Sequence, residues 1–445
     1  MKNSFKKKLR QWLFEAILLT VFKTVLEFVF IPKYYAVFSY MSAELVFNSE
    51  KWIISTVVFG IFLLFLFNNK PVKQLMYLHI IRYLYLFCII PTLTVYAFRA
   101  TVGILDFVFP FLYFLIIVLL LKHYSYTALS DSNKLLKMPH LLHIDIVLPL
   151  LCGAIAVAIW ALAGFPVVLN LSDTTEQRMA LRAAKLPSII NYVFMFLGGT
   201  VFPYFAARYL DKKRYLLALL SLIFGLLLFF VNGMKTWLLL YVFIVVIYIL
   251  HRFTAGSYLK FFYTFESFVI LLMVLCVVLY NAFGEVAYLS QFSRIILVPS
   301  SIGYKSIGFF RENELLLLRE SILRVFFQSP YPGGSDFYIN YGRRITLTSS
   351  RANNGLWGDA YRNFGFLSLL FYPYAFSRII NIVISNSRDE SERFVIFIML
   401  FLVWQAINAS FFTWLLTGGV IITILLLKIY RANKEVRSIA VTKAD

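Results

Sequence analysis

Apolar runs of about 20 residues, separated by short polar stretches, recur along the whole chain. A run of that length crosses a hydrocarbon core of about 30 Å as a helix, whereas barrel strands alternate and are about half as long. The pattern predicts an all-α polytopic membrane protein with twelve transmembrane helices. They lie near residues 11–32, 51–68, 75–98, 104–121, 144–168, 189–208, 215–231, 237–250, 261–283, 361–379, 393–410 and 412–428. The first run follows MKNSFKKKLR, and it is too long for a secretory signal and lacks the small-residue cleavage site, so a retained span is expected. The organisation follows: residues 1–283 hold nine spans and an external loop at 169–188, residues 284–360 form a large external loop with short amphipathic helices, and residues 361–445 hold three more spans and a basic tail. No internal repeat is evident.

Composition sharpens this reading. The chain is 61% hydrophobic and only 14% charged, against roughly 25% charged for an average soluble domain. That excludes a soluble nucleic-acid-binding domain, a cytosolic dinucleotide enzyme and a disordered chain. Three cysteines, each within an apolar run, suggest neither a disulfide framework nor a thiolate metal site. The net charge of +20 raises the question of sides, because Lys and Arg collect at cytoplasmic span ends. A cytoplasmic N-terminus and twelve crossings place both termini inside, and the inner segments then hold 24 of the 42 Lys+Arg. The exceptions concentrate outside: 284–362 holds nine, and 169–188 holds Arg178, Arg182 and Lys185. Long loops translocate largely regardless of charge, and an outward basic cavity suits an anionic group presented at the outer leaflet.

Candidate chemistry lies in three clusters. Lys235, in the turn FVNGMKTW, is a cation on the disfavoured side, either binding an anion or snorkelling at a helix end. Arg294 follows the ninth span among apolar neighbours and needs a buried carboxylate such as Glu285 or an anionic ligand, with a fork that fits phosphate bidentately. The stretch YPGGSDFYINYGRRITLTSSRANNGLWGDAYRNFGF is the least hydrophobic of the chain. Its Asn, Asp and Arg suit hydroxyl networks and its Tyr and Trp suit pyranose faces, although a polar loop without a ligand has similar content. No histidine falls outside, so external acid–base chemistry requires a carboxylate, with Asp359, Glu285, Glu176, Asp336 and Glu320 as candidates. Few charges fall mid-span; Glu15, Lys23, Glu27 and Arg82 are the exceptions, with Lys23 and Glu27 spaced to pair on a helix. P-loop, HExxH and GxSxG motifs are missing, as is a DxD pair.

Three blocks resemble the Wzy-type oligosaccharide repeat-unit polymerases of O-antigen, capsule and related surface polysaccharides: NGMKTWLLLY, SRIILVPSSIGYKSIGFF and RANNGLWGDAYRNFGFLSLL. EQRMALRAAKLPS is a fourth, and Arg344 with Gly355 has the spacing of the Arg-x10-Gly motifs in that family. The similar O-antigen ligases are associated with an external histidine, which is lacking here. The resemblance implies a GT-C-like membrane glycosyltransferase at the outer face of the bacterial cytoplasmic membrane. It would move a growing glycan from undecaprenyl pyrophosphate to a lipid-linked repeat unit, without cofactor, metal or nucleic acid. A flippase and a chain-length regulator would be its partners. On that reading Lys235, Arg294, Arg178 and Arg182, then Arg351 and Arg362, contact the pyrophosphate. Asp359, or Glu285, takes the acceptor proton, and Asn354, Trp357 and Tyr361 contact sugar. The competing expectation is a carrier or flippase of lipid-linked oligosaccharide, which would place charges near the bilayer midplane.

Overall fold

The structure, a computed structural model, describes residues 2–37, 46–67, 75–99, 101–127, 144–164, 166–167, 188–254, 257–321, 323, 326–331, 337–346 and 355–442. Their regular structure is helical, with no strand among the described residues. Among the described residues, eight helices are long and apolar enough to cross a bilayer, or nine if one bent pair is a single span. These are the dimensions of a multi-pass membrane protein. Of the remaining expected spans, 11–32 falls in helix Lys2–Val25 and its continuation, which carry Glu15, Lys23 and Glu27. The expected spans 237–250 and 393–410 fall in the shorter helices Trp237–Phe253 and Glu392–Asn408.

Packing divides the chain into two compact units, each discontinuous in sequence. One comprises Met1–Ala128, Gly256–Ile379 and Val403–Phe412; the other comprises Leu129–Ala255, Ile380–Leu402 and Thr413–Asp445.

In the first unit the helix Met76–Ala97 is central and buried along its length. Side chains close off helix termini at both ends of this bundle. Asn48 accepts from the Lys51 N–H (2.9 Å) to cap Ser49–Leu66, and Lys51 Nζ donates to the carbonyls of Arg99 and Val102 (2.7 Å each). At the opposite end Lys122 Nζ donates to the carbonyls of Phe65 (2.7 Å) and Phe67 (2.8 Å). Terminal carbonyls without intrahelical partners are thus met by cations, which also suit the negative end of the helix dipole. Helices Val286–Ile296, Val298–Glu312 and Trp357–Phe364 gather at the Lys51 end, tied there by Arg311 to Asp106 (2.9 Å) and by Arg99 to the Ser301 carbonyl (3.1 Å).

The second unit contains Ile144–Leu162, Ile189–Asp211, Tyr215–Asn232, Lys235–Phe253 and Val420–Thr442. Its helices approach closely where an aromatic ring lies on a glycine: Phe224 on Gly153, Trp237 on Gly198 and Tyr241 on Gly225, with no room for a Cβ at any of the three.

Three helices widen into one π turn each, at Leu26–Phe30, Tyr85–Ile89 and Leu197–Val201. Each is followed two residues later by a proline: Pro32, Pro91 and Pro203. A proline ring inside a helix clashes with the carbonyl four residues back and removes an N–H, and a wider turn accommodates both. The expected straight span at 361–379 is instead bent by 85° between Trp357–Leu370 and Tyr372–Asn386. Gly365, at φ +54°, ends the α-helix, a short 3-10 turn follows, and Pro373 opens the next helix.

Candidate functional site

The polar block around Asp359 folds into an anchored element at the Lys51 end of the first unit. Gly355 has no room for a Cβ against the carbonyls of Ala406 and Ala409, and its N–H donates to the Ile407 carbonyl at 2.9 Å. Leu356, at φ +48°, turns the chain into the helix Trp357–Phe364. The Asp359 carboxylate is spent within this helix and its neighbour. Its Oδ1 accepts from Arg362 Nε (2.9 Å), Arg362 Nη2 (2.5 Å) and Asn363 Nδ2 (3.2 Å), while Oδ2 accepts from the Phe411 N–H at 2.7 Å. Beyond the helix, the carbonyls of Arg362 and Asn363 and the Asn363 side chain accept from the N–H groups of Leu316, Leu317 and Leu318. Two of these, Leu317 and Leu318, hold positive φ.

These contacts redefine several expected site residues. Asp359 and Arg362 are buried and paired with each other, so in this conformation neither is open to a substrate. Trp357 is buried over Gly303, 5.1 Å from the Tyr304 ring, and Tyr361 is buried 4.9 Å from Phe109. Both rings pack the core of the unit and present no face to a sugar. Glu320 is buried as well. Arg178, Arg182, Arg351, Asn354, Glu176 and Asp336 lie outside the described residues.

The remaining predicted residues are exposed. Helix Val286–Ile296 buries Leu289, Phe292, Ser293 and Ile296 and presents Arg294 on its open face, with Glu285 exposed at its N-cap position. Lys235, in the second unit, is exposed at the first position of helix Lys235–Phe253, directly after the left-handed turn at Gly233 (φ +63°). A cation there faces the positive end of the helix dipole, the arrangement that an anion relieves.

Sequence reading singled out Arg344 only by its spacing to Gly355 and passed over Arg343. Arg343 and Arg344 are exposed in the last turn of Phe337–Thr346. The buried side of that helix joins Phe309, Phe310, Tyr331, Phe337 and Tyr341 in one ring cluster, in which the Tyr341 hydroxyl bonds Ser306 Oγ at 2.6 Å. The signal was present in the sequence as two adjacent arginines after an aromatic stretch. Burial and nearby Glu314 push the Tyr331 phenol above its ordinary value, while Arg319 and Arg344 oppose that shift.

Among the described residues, the side chains of Glu285, Arg294, Arg343, Arg344 and Lys235 form no ion pair. Described His, Cys, Asp and Glu form no group of three that could hold a metal ion. Comparison with protein-family models, with curated proteins and with solved structures returned no match.

Proposed function

We propose that the chain is a membrane glycosyltransferase of the repeat-unit polymerase kind, with twelve spans, cytoplasmic termini, a GT-C-like plan and a site on the outer face of a bacterial cytoplasmic membrane. The observation that supports this reading is the division among its charges. Deep cations such as Lys23, Arg82 and Arg362 have acid partners within the protein, whereas Lys235, Arg294, Arg343 and Arg344 stay open at helix ends. Open cations at helix termini suit a diphosphate headgroup arriving in the interfacial layer. As the glycosyl–phosphate bond breaks, charge grows on the departing undecaprenyl pyrophosphate, and fixed cations stabilise it more than they stabilise the ground state.

Glu285 replaces Asp359 as the preferred base in this proposal, since its carboxylate is exposed and unpaired while that of Asp359 is already spent. It would take the proton of the acceptor hydroxyl as the new glycosidic bond forms. Asp359 then serves to hold Arg362 and the bent helix in place.

The test is polymerisation of purified lipid-linked repeat units in proteoliposomes. Long-chain product is expected from the wild type, and Lys235→Ala or Arg294→Ala should abolish extension while the protein remains in the bilayer. Wild-type polymer length in both variants would remove these residues from the site. A transport reading has one observation in its favour, the buried Glu15, Arg82 and Glu266 in the first unit. Movement of the lipid-linked unit across the bilayer, with no lengthened product, would establish that reading instead.

A further inference from the structure

Deep in the first unit, two carboxylates face one guanidinium. Arg82, in Met76–Leu84, donates through Nε to Glu15 Oε1 and through Nη2 to Glu15 Oε2 at 2.7 Å, and the pair is buried. The ring of Phe262 covers the guanidinium face at 4.7 Å. One helical turn after Phe262, on the same side of Tyr258–Phe283, stands Glu266. Its residue exposure is 0%, it interacts electrostatically with Glu15 and Arg82, and neither of its carboxyl oxygens has a hydrogen-bond partner.

The charge count decides the chemistry. Arg82 neutralises one carboxylate, that of Glu15, and both Glu15 oxygens accept from its guanidinium. A second negative charge beside Glu15, buried and without a donor, costs far more than a neutral carboxylic acid in the same place. Two buried carboxylates beside one cation leave one of them without a counter-charge, and the acid without a hydrogen-bond donor is the one that is neutral.

Among the described residues, Arg82 is the one Lys or Arg that acts electrostatically on Glu266. Helix Lys2–Val25 contributes Glu15 and, two turns further on, Lys23, which is engaged by Glu27 at 2.5 Å. From Met76–Leu84 come Arg82, Tyr83 and His79; Tyr83 meets Phe265 at 5.5 Å and His79 meets Phe262 at 5.9 Å. Tyr85 interacts electrostatically with Glu15. On its own helix Glu266 has Tyr263, whose hydroxyl donates to the Gln11 carbonyl at 3.0 Å. From Val286–Ile296, Arg294 is exposed on the outer face of that helix.

We propose that Glu266 is an intramembrane proton-binding site, neutral while Arg82 is paired with Glu15 and ionised when Arg82 turns to it. The proton is the ligand, and Arg82 is the element with two arrangements. A motion of Lys2–Val25 relative to Tyr258–Phe283 that separates Glu15 from Arg82 transfers the guanidinium to Glu266, and the Glu266 proton passes to Glu15 while that carboxylate stays buried and is released where the motion brings Glu15 to water. This inference is independent of the proposed glycosyl transfer.

The experiment is infrared spectroscopy of the purified full chain in lipid, following the C=O stretch of protonated carboxyl groups and its shift in D2O. The wild type should show a band at neutral pH that Glu266→Gln, an isostere of the neutral acid, removes. Glu15→Gln should remove the same band, because Glu266 then becomes the counter-ion of Arg82 and gives up its proton. Glu15→Asp, which keeps the charge, should retain it. Absence of a band sensitive to Glu266→Gln overturns the proposal, as does a band that survives Glu15→Gln. A Glu15→Gln protein that cannot fold overturns it too, since Glu266 should have stood in. Measurement in sodium and in choline buffer separates the alternative occupant: a band present only without sodium makes this a sodium site and not a proton site.

Discussion

The two units handle charge in different ways. The first sets three pairs inside the bundle, Glu15 with Arg82, Lys23 with Glu27, and Asp359 with Arg362, all six side chains buried, beside two more open ones, Arg311 with Asp106 and Arg319 with Glu314. The second keeps its pairs near helix ends and short connections: Arg208 with Glu390, Arg393 with Asp211, Arg431 with Asp389, and Lys212 and Arg214 around Asp145. Arg208 gains further from lying 3.9 Å over the Tyr430 ring. Arg208 and Arg431 are themselves buried, whereas the open pairs around Asp145 and Asp211 trade little desolvation for little Coulomb energy. Pairs inside a bundle cost much to bury and are costly to break, so their persistence in the first unit points to a task that apolar packing would not perform.

Breaking an inner pair should therefore have the largest effect. Arg82→Met leaves Glu15 buried without its cation, and a loss of about 3–5 kcal/mol is expected. Unfolding by denaturant in detergent micelles measures it, and a loss near zero would dissolve the contrast between the units. Asp359→Asn comes next. It keeps the shape but leaves the buried Arg362 facing a neutral group, and an amide turned toward Arg362 offers the Phe411 N–H only its nitrogen. A loss of about 2–3 kcal/mol is expected. Because the base assigned under the proposed function is Glu285, residual polymerisation per folded molecule should survive in this variant while Glu285→Gln loses it. The opposite ranking returns the base to Asp359.

How far the sequence could be read follows the same division. Continuous apolar runs announce helices because backbone groups in lipid must bond within their own segment, and the runs at 51–68, 75–98, 104–121 and 215–231 are found close to where hydropathy puts them. The bend at Phe371 is invisible to hydropathy, which stays high from Phe364 to Phe376, although Gly365 and Pro373 marked it. Pro32, Pro91 and Pro203 likewise marked three π turns that an apolar count passes over. Asp359 and Arg362 read as a base and a pyrophosphate contact in a stretch whose composition suits sugar, yet with Asn363 their spacing of three and four also places them on one helical face, where they bond each other. Glu266 went unnoticed since one acid in a run of aromatics barely lowers hydropathy. Only the partners brought by Glu15 and Arg82, distant in sequence, give it meaning.

The smallest effect belongs to a pair whose acid has two cations. Arg214 stands 3.5 Å from Asp145 with 44% of its side chain exposed, and Lys212 waits 3.9 Å from the other carboxylate oxygen. Removing Arg214 thus leaves the buried Asp145 with Lys212 as a second cation, and removes the cost of ordering a long, half-exposed side chain. Exposed pairs of this kind contribute from nothing to about 1 kcal/mol. Arg214→Ala is expected to cost less than about 0.5 kcal/mol, and less still in high salt, where the Debye length shrinks to about 3 Å. The Arg82→Met cost should instead be almost independent of salt, because ions do not reach a pair buried on every side. Equal salt sensitivity in the two variants would mean that solvent reaches Arg82, and that what separates the units is not depth but the number of partners each cation has.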